Sequence, residues 1–270
     1  TGDTRAPPAP TTRLDAGDDS GASNSDNITS DTTPIVSGAA EANATVEIFV
    51  GGVSDGTTTA DGDGVWSYAI NALADGTYTI TAKAPDAAGT ESVASADLDI
   101  TIDTTAPDAP TGLDLVSGSD SGDSDSDDLT SDTTPTISGT AEAGSTVEIF
   151  VDGVSDGTTT ADGEGNWSHT LGTLTDGTYA VTAKATDAAG NQSDASAALN
   201  ITIDATAPDA PAGLDLASGS DSGDSDSDDL TSDTTPTISG TALANSTVEV
   251  FVNGESVGTT SADGAGDWSM

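Results

Sequence analysis

The sequence predicts an all-β protein made of tandem antiparallel β-sandwiches, with about seven strands in each and the third copy incomplete. Three observations predict this fold class. Tryptophan recurs at a fixed interval of 101 residues, at Trp66, Trp167 and Trp268. Between these positions, apolar residues alternate with polar ones in short segments that turn residues separate. No segment has the spacing of an amphipathic helix.

Composition by itself suggests a different answer. The 270 residues carry 47 acidic and 4 basic side chains, for a net charge of −43, and no cysteine. Few large apolar residues with so much charge are typical of disordered chains. The regular return of Phe49, Phe150 and Phe251 argues against disorder. The charge would repel nucleic acid and anionic membranes, and the apolar runs are too short to span a bilayer, so we expect neither partner.

The repetition divides the chain into repeat 1 (1–104), repeat 2 (105–205) and repeat 3 (206–270). Pro-rich phrases at 105–110 and 206–211 mark the boundaries and favour short, rather stiff linkers. Repeat 3 has no counterparts of the last two predicted strands of repeat 2. We expect it to be the least ordered region or to be completed by another chain.

The predicted strands follow one another closely in repeat 2. β-Branched and aromatic residues in alternation predict strands at 113–115, 136–140, 146–151, 158–161, 166–171, 178–185 and 199–203. Asp152-Gly153 is a turn signal between the third and fourth strands. Seven short strands in about 100 residues predict an antiparallel sandwich. The few aromatic residues, among them Trp66, Phe49 and Tyr78, are predicted to lie in the core.

Two phrases, Asp75-Gly-Thr-Tyr78 and Asp176-Gly-Thr-Tyr179, look like the tyrosine corner of immunoglobulin-like folds. Together with other phrases of repeat 2, they resemble the bacterial immunoglobulin-like repeats of giant secreted adhesins and biofilm-associated proteins, of the repeats-in-toxin extender type. Those phrases are Pro135–Gly139, Gly144–Gly153, Gly165–Ser168 and Ala185–Asn191. The resemblance implies an immunoglobulin-like fold at the bacterial cell surface. Unlike antibody domains, these repeats have no cysteine pair, and the tryptophan lies on the fifth strand.

Carboxylates are the chemistry that this sequence supplies in quantity. An acidic loop follows the first strand, with acid at its first, eighth and thirteenth positions in every copy. These residues are Asp19, Asp26 and Asp31; Asp120, Asp127 and Asp132; and Asp221, Asp228 and Asp233. Hard oxygen donors on a loop suit Ca²⁺. The loop is not an EF-hand, because Asp128 stands where an EF-hand has glycine and Thr134 where it has glutamate. The alternative interpretation is a solvated, self-repelling acidic surface.

Strand order predicts where the acids meet. In a seven-strand sandwich, the first, third and fifth loops share one pole with the end of the last strand. That pole would also include Asp55 in repeat 1 and Asp156 in repeat 2. Members of the resembled family carry calcium at repeat junctions, and this implies several Ca²⁺ ions per chain. The predicted ligands are Asp19, Asp26, Asp31, Asp75, Asp103 and Asp108, with Glu142 and Asp187 on the facing pole, and then Asp120, Asp127, Asp132, Asp176, Asp204 and Asp209 at the second junction.

The sequence predicts a non-catalytic protein. His169 is the single histidine and its counterpart is Tyr68, which favours a packing or rim position over catalysis. The leading hypothesis is a calcium-stiffened extracellular spacer of a bacterial adhesin, with neighbouring repeats as partners and the adhesion ligand bound by another domain. The alternative is a module that binds a glycan or host protein through its loops. A secreted hydrolase would need a catalytic domain elsewhere, and we expect any export signal to lie outside these residues.

Overall fold

A computed structural model describes residues 6–21, 23–86, 89–122, 124, 126–222 and 228–270. The chain forms two compact units, Thr1–Ala205 and Thr206–Met270. The first unit contains repeats 1 and 2, each folded as a β-sandwich. The predicted all-β fold class is confirmed, because every regular element in the described ranges is a strand. Within those ranges, no helix has the length and apolar character needed to cross a membrane.

Repeats 1 and 2 have the same strands in the same order. In repeat 1 these are β1 (Arg13–Leu14), β2 (Ile28–Thr29), β3 (Ile35–Ala39), β4 (Thr45–Val50), β5 (Val53–Thr59), β6 (Val65–Ala69), β7 (Gly76–Lys83) and β8 (Leu98–Ile102). In repeat 2 they are β9 (Thr111–Leu115), β10 (Leu129–Thr130), β11 (Thr136–Thr140), β12 (Thr146–Val151), β13 (Val154–Thr160), β14 (Asn166–Thr170), β15 (Gly177–Thr186) and β16 (Leu199–Ile203).

Each sandwich pairs a three-stranded sheet with a five-stranded sheet. In repeat 1 the orders are β1-β3-β6 and β2-β8-β7-β4-β5. The short strand β2 was not predicted, and it pairs in parallel with β8, with Ile28 opposite Thr101. Because β1 belongs to one sheet and β2 to the other, the acidic loop between them crosses the end of the sandwich. Repeat 2 repeats this arrangement with β10 and β16.

The predicted turn at Asp152-Gly153 is confirmed. Both residues have positive φ, 50° and 79°, as a two-residue type I′ hairpin requires. The hairpin leads directly into β13, which therefore begins at Val154 and not at residue 158 as predicted. Apart from Val154 and Gly157, the residues of β13 are polar, as suits a strand at the edge of its sheet.

The core lies between the two sheets. Trp66 is 1% exposed and packs with inward-facing residues such as Val36, Ile48 and Ile100. Trp167 has the same place in repeat 2. The predicted tyrosine corner is confirmed in repeat 1, because the hydroxyl of Tyr78 donates to the carbonyl of Ala74 at 3.0 Å. In repeat 2, the hydroxyl of Tyr179 donates to the carbonyl of Thr175, also at 3.0 Å.

The prediction that the phenylalanines lie in the core was wrong. Along β4, Val46 and Ile48 are buried in the core, and by alternation Phe49 points to the outer face of the five-stranded sheet. There the Nζ of Lys83 lies 5.6 Å from the centroid of the Phe49 ring. A cation over an aromatic face is attracted to it, and the aliphatic stem of lysine also covers apolar surface. Phe251 is 57% exposed.

The second unit has β17 (Ala212–Leu216), β18 (Ile238–Thr241), β19 (Thr247–Val252), β20 (Glu255–Ser261) and β21 (Asp267–Ser269). They form a three-stranded sheet, β17-β18-β21, and a two-stranded sheet, β19-β20. The buried cluster consists of Val248, Val250, Ala262 and Trp268. The expectation that repeat 3 is the least ordered region, or is completed by another chain, stays a prediction.

Truncating Trp66 to alanine should destabilise repeat 1 by about 3–5 kcal/mol, because the indole is fully enclosed by the two sheets. Scanning calorimetry of the whole chain would follow the unfolding of repeat 1. Phe49→Ala is the matched control. Its ring lies on the outer face, so the loss should be clearly smaller, and equal losses for the two variants would contradict this description of the core.

Candidate functional site at the acidic poles

The acidic loop of repeat 1 is tied to the end of β8 by the backbone. Thr101 N donates to Asn27 O, and Asp103 N donates to Thr29 O, both at 2.9 Å. Asn27 has a left-handed φ of 59°, and Asp128 has the same conformation in repeat 2, with a φ of 57°. Asparagine and aspartate tolerate this conformation better than other residues with a side chain. The acidic loop and the start of the linker therefore meet at one pole.

Three of the predicted calcium ligands hold linker residues in place. The carboxylate of Asp75 accepts hydrogen bonds from the hydroxyl of Thr104 at 2.8 Å, from the backbone N–H of Thr104 at 3.1 Å and from the hydroxyl of Thr105 at 3.0 Å. These bonds favour the ionised form and lower the pKa of Asp75. The Oδ1 of Asp103 accepts from Thr105 N at 3.0 Å. In repeat 2, the Oδ1 of Asp176 accepts from Ala205 N at 2.9 Å.

Other predicted ligands stabilise turns within the acidic loop. In repeat 1, the Oδ1 of Asp26 accepts from Ile28 N at 3.1 Å, and the Oδ1 of Asp31 accepts from Thr33 N at 2.8 Å. Asp127 and Asp132 make the corresponding bonds in repeat 2. An aspartate that accepts from the N–H two residues later forms an Asx turn. The acids therefore shape the loop that carries them.

Asp19 differs from these surface acids because it is only 7% exposed. Its Oδ2 accepts a long bond from Asn27 N, at 3.4 Å, and its Oδ1 has no hydrogen-bond partner among the described residues. Burial raises the pKa of Asp19, and the nearby Asp26 raises it further. Asp120 in repeat 2 is also 7% exposed. In the second unit, both carboxylate oxygens of Asp221 are buried without a hydrogen-bond partner in the described ranges.

Further carboxylates crowd the same poles. Burial raises the pKa of Asp18, and Asp31 and Asp15 contribute by charge repulsion. Burial also raises the pKa of Asp128, with repulsion from Asp114, Asp120 and Asp127. A raised pKa means that the ionised form is less stable here than in water. Each pole therefore holds negative charge that the described protein groups do not fully compensate.

The donor set is suited to a hard cation, because it consists of carboxylate, amide and carbonyl oxygens. Across the described ranges, no three Asp, Glu or His side chains are grouped as ligands for one ion. Asp123 and Asp125 of the acidic loop, and residues 223–227 of its counterpart in repeat 3, lie outside the described residues. Calcium binding stays a prediction.

The remaining predicted ligands lie in separate places. Asp108 and Glu142 line one open cleft of repeat 2, beside Thr111 and Thr140. Asp204 donates its backbone N–H to the carbonyl of Thr130 at 2.9 Å. In the second unit, Asp209 lines a cleft with Ala210 and Leu243.

Asp55 in repeat 1 and Asp156 in repeat 2 each bond an aromatic side chain of the neighbouring strand. The Oδ2 of Asp156 lies 2.9 Å from the Nε2 of His169, which occupies the half-buried rim position predicted for it. In repeat 1, the hydroxyl of Tyr68 donates instead to the backbone carbonyl of Asp55 at 2.9 Å.

The loop Asp187–Asn191 of repeat 2 lies against the acidic pole of repeat 1, as strand order predicted. The hydroxyl of Ser20 donates to the carbonyl of Ala189 at 2.6 Å. The amide Nδ2 of Asn191 donates to the carbonyl of Asp103 at 2.8 Å. Gly21 has a φ of 101°, and a Cβ placed on it would overlap the carbonyl oxygen of Ala188. The two repeats therefore make direct backbone contact.

Sequence reasoning missed the residues that make this contact, because it looked for carboxylates. A usable signal is present in the sequence. The triplet Asp-Ser-Gly opens the acidic loop of every copy, at 19–21, 120–122 and 221–223. In repeat 1, its serine and glycine contact repeat 2, directly beside the buried Asp19.

In buffer free of divalent cations, the stability of the first unit should rise as the pH falls from 7 towards 4. Asp18, Asp19 and Asp128 have pKa values above their ordinary 3.8, so the folded state takes up their protons first and gains stability. Below pH 3.8 the sign reverses. The pKa values of Asp75 and Asp162 are lowered, that of Asp162 chiefly by the hydrogen bond from Asn166 N. In their ionised form these two carboxylates stabilise the folded state, and this stabilisation is lost as they become protonated.

Thermal unfolding at a series of pH values would measure this maximum. Asp128→Asn introduces the residue that repeat 1 has at the corresponding position, Asn27, with the same backbone conformation. It should stabilise repeat 2 at pH 7 and flatten its pH dependence. Glu164→Gln removes one charge from an exposed turn and serves as the control. Equal effects of the two variants would mean that net charge alone is responsible.

Comparison with known proteins gives the family. A family model described as "Bacterial Ig-like domain" matches residues 6–104, 106–205 and 207–270. Comparison with curated proteins found no match. Among solved structures, the chain is similar to the fibronectin(III)-like modules of Clostridium thermocellum CbhA, at 16% identity over 72% of this chain and 94% of that chain, with a TM-score of 0.43. It is also similar to the BSP domain of a biofilm associated protein, at 25% identity over 67% of this chain and 29% of that chain, with a TM-score of 0.28. Because the family model covers nearly the whole chain, the protein belongs to the bacterial Ig-like domain family, with three tandem copies.

Proposed function

We propose that this chain is a non-catalytic spacer in a bacterial cell-surface adhesin and that Ca²⁺ stiffens it. In this role the repeats hold a binding domain, elsewhere in a longer protein, away from the cell. The partners of each repeat are its neighbours in the same chain.

The direct contact between repeats 1 and 2 is the observation that carries the spacer role. A spacer has to resist bending at its junctions. Backbone groups form at least one side of every part of this contact. Gly21 lies against the backbone of Ala188. The carbonyls of Ala189 and Asp103 accept hydrogen bonds from the side chains of Ser20 and Asn191. Backbone groups lose no side-chain rotamer freedom on docking, which limits the entropic cost of ordering the junction. Membership of a family of bacterial Ig-like domains in tandem copies supports the same role.

Buried carboxylate oxygens of Asp19 in repeat 1 and Asp128 in repeat 2 support the calcium part of the proposal. In the described ranges, the Oδ1 of each residue is buried without a hydrogen-bond partner. Such a charged oxygen is costly to bury unless a cation compensates it. Asp19 with Asp26 would hold the ion in repeat 1, and Asp120 with Asp128 in repeat 2. The charge of the ion would stabilise the ionised form of these carboxylates and so offset the burial that raises the pKa values of Asp19 and Asp128. The competing explanation is general screening of the −43 charge, which needs no specific site.

Adding millimolar CaCl₂ to the whole chain should raise the melting temperature of repeats 1 and 2 and narrow the range of angles between them. Extracellular calcium sites have dissociation constants of roughly 10⁻⁴–10⁻³ M. A hundredfold excess over such a constant is about 10–100 mM Ca²⁺ and adds about 2.7 kcal/mol per site, and lower millimolar concentrations add less. Calorimetry and small-angle X-ray scattering would measure the two effects. Mg²⁺ should substitute poorly, because it needs a tight octahedron and keeps its waters.

The controls separate site binding from screening. NaCl matched in ionic strength should reproduce neither effect, and if it reproduces both, the calcium sites are refuted. Asp19→Asn should abolish the calcium response of repeat 1 and leave that of repeat 2. Asp63→Asn removes one charge from an exposed turn of the same repeat and should leave both responses intact.

A further inference from the structure

The loop between β15 and β16, residues Asp187–Asn191, is closed by its own hydrogen bonds. Asp187 N donates to Asn191 O at 3.1 Å, and Asn191 N donates to the Oδ1 of Asp187 at 2.8 Å. The loop between β7 and β8 in repeat 1 is closed in the same way. There, Asp86 N donates to Thr90 O at 3.0 Å, and Thr90 N donates to the Oδ1 of Asp86 at 2.8 Å. The two closures are equivalent although the fifth residue differs.

The fifth residue determines whether the loop can form a hydrogen bond to a neighbouring repeat. The amide of Asn191 has two N–H donors. Its Nδ2 donates to the Oδ2 of Asp187 at 2.9 Å and to the carbonyl of Asp103 in repeat 1 at 2.8 Å. Threonine at this position has a shorter side chain with a single hydroxyl donor, so it cannot make both bonds. Asn191 therefore connects the closed loop to the preceding repeat.

The surface of repeat 1 that contacts the loop is held by hydrogen bonds within repeat 1 itself. The Oγ of Ser20 accepts a hydrogen bond from Ser30 N at 2.9 Å, which orients the hydroxyl towards Ala189 O. The Asp103 N–H is bonded to β2, which fixes the carbonyl that Asn191 reaches. Ala189 is fully buried although it lies at the tip of a loop. The contact is therefore close and built from protein groups on both sides.

We propose that Asp187–Asn191 is a docking loop whose partner is the Ser-Gly surface at the acidic pole of an adjacent repeat, and that Asn191 makes it competent to dock. The loop of repeat 1, with Thr90, lacks this competence. Repeat 2 carries the same surface at its own acidic pole, where the Oγ of Ser121 accepts from Ser131 N at 2.8 Å. The contact uses no metal, so the inference goes beyond the calcium-stiffened spacer and does not depend on it.

The absence of cysteine in the chain permits a direct test. Spin labels on Asp63→Cys and Glu164→Cys, which occupy equivalent exposed turns in repeats 1 and 2, report the distance between the repeats by double electron–electron resonance. The measurement uses the whole chain in chelator. The parent should give one narrow distance distribution. Asn191→Thr should broaden it, and Thr90→Asn, the reverse exchange in the other loop, should leave it unchanged.

Calorimetry of the same samples separates docking from folding. Asn191→Thr should melt repeat 2 at the parent temperature, because threonine supports the same loop closure in repeat 1. If Asn191→Thr lowers the melting temperature of repeat 2, the distance distribution of Gly21→Gln is measured instead. That variant blocks the contact from the side of repeat 1 and leaves the sequence of repeat 2 intact. A narrow distribution in both variants would overturn the proposal. So would a parent distribution that is broad in chelator and narrows only with Ca²⁺, a result that would leave the calcium proposal standing.

Discussion

Each repeat depends on keeping a small apolar interior apart from a large negative charge. Inward-facing residues of the two sheets, such as Ile48 and Ile100, enclose Trp66 completely, whereas the acids occupy outer faces, turns and poles. Strand alternation makes this separation possible, because successive side chains point to opposite faces. A chain with so few large apolar residues can still fold because the inward-facing positions of its strands are occupied mostly by apolar side chains.

The charge is compensated chiefly by backbone N–H groups and hydroxyls. Four basic residues cannot neutralise 47 acids, so aspartates accept hydrogen bonds at turns and linkers instead. Asp162 accepts from Glu164 N and Asn166 N, each at 2.9 Å, and Asp75 accepts from both linker threonines. Acids bonded in this way are stabilised as anions. The exceptions are the crowded acids of the poles, and this contrast is why cation binding is proposed there and not along the strands.

The buried acid of repeat 1 and the residues that contact repeat 2 are consecutive in the sequence. Asp19 is buried behind the surface that Ser20 and Gly21 present to the next repeat. The acidic loop also crosses from one sheet to the other, so its conformation depends on both sheets. A contact that relies on positioned backbone groups needs this loop to be held firmly. Protein hydrogen bonds supply part of that restraint, and a bound cation would add to it without making the contact itself.

The sequence by itself determined the repeat length, the all-β class and the tyrosine corner, because each follows from local alternation, turn chemistry or internal repetition. It also placed the Asp187–Asn191 loop opposite the acidic pole, because strand order fixes which loops share an end. Only the tertiary structure decided that Phe49 lies outside the core, since alternation does not say which face is buried. The docking contact was likewise beyond the sequence. It joins Ser20 to Ala189 and Asp103 to Asn191, groups that become neighbours only when the sandwiches of repeats 1 and 2 pack against each other.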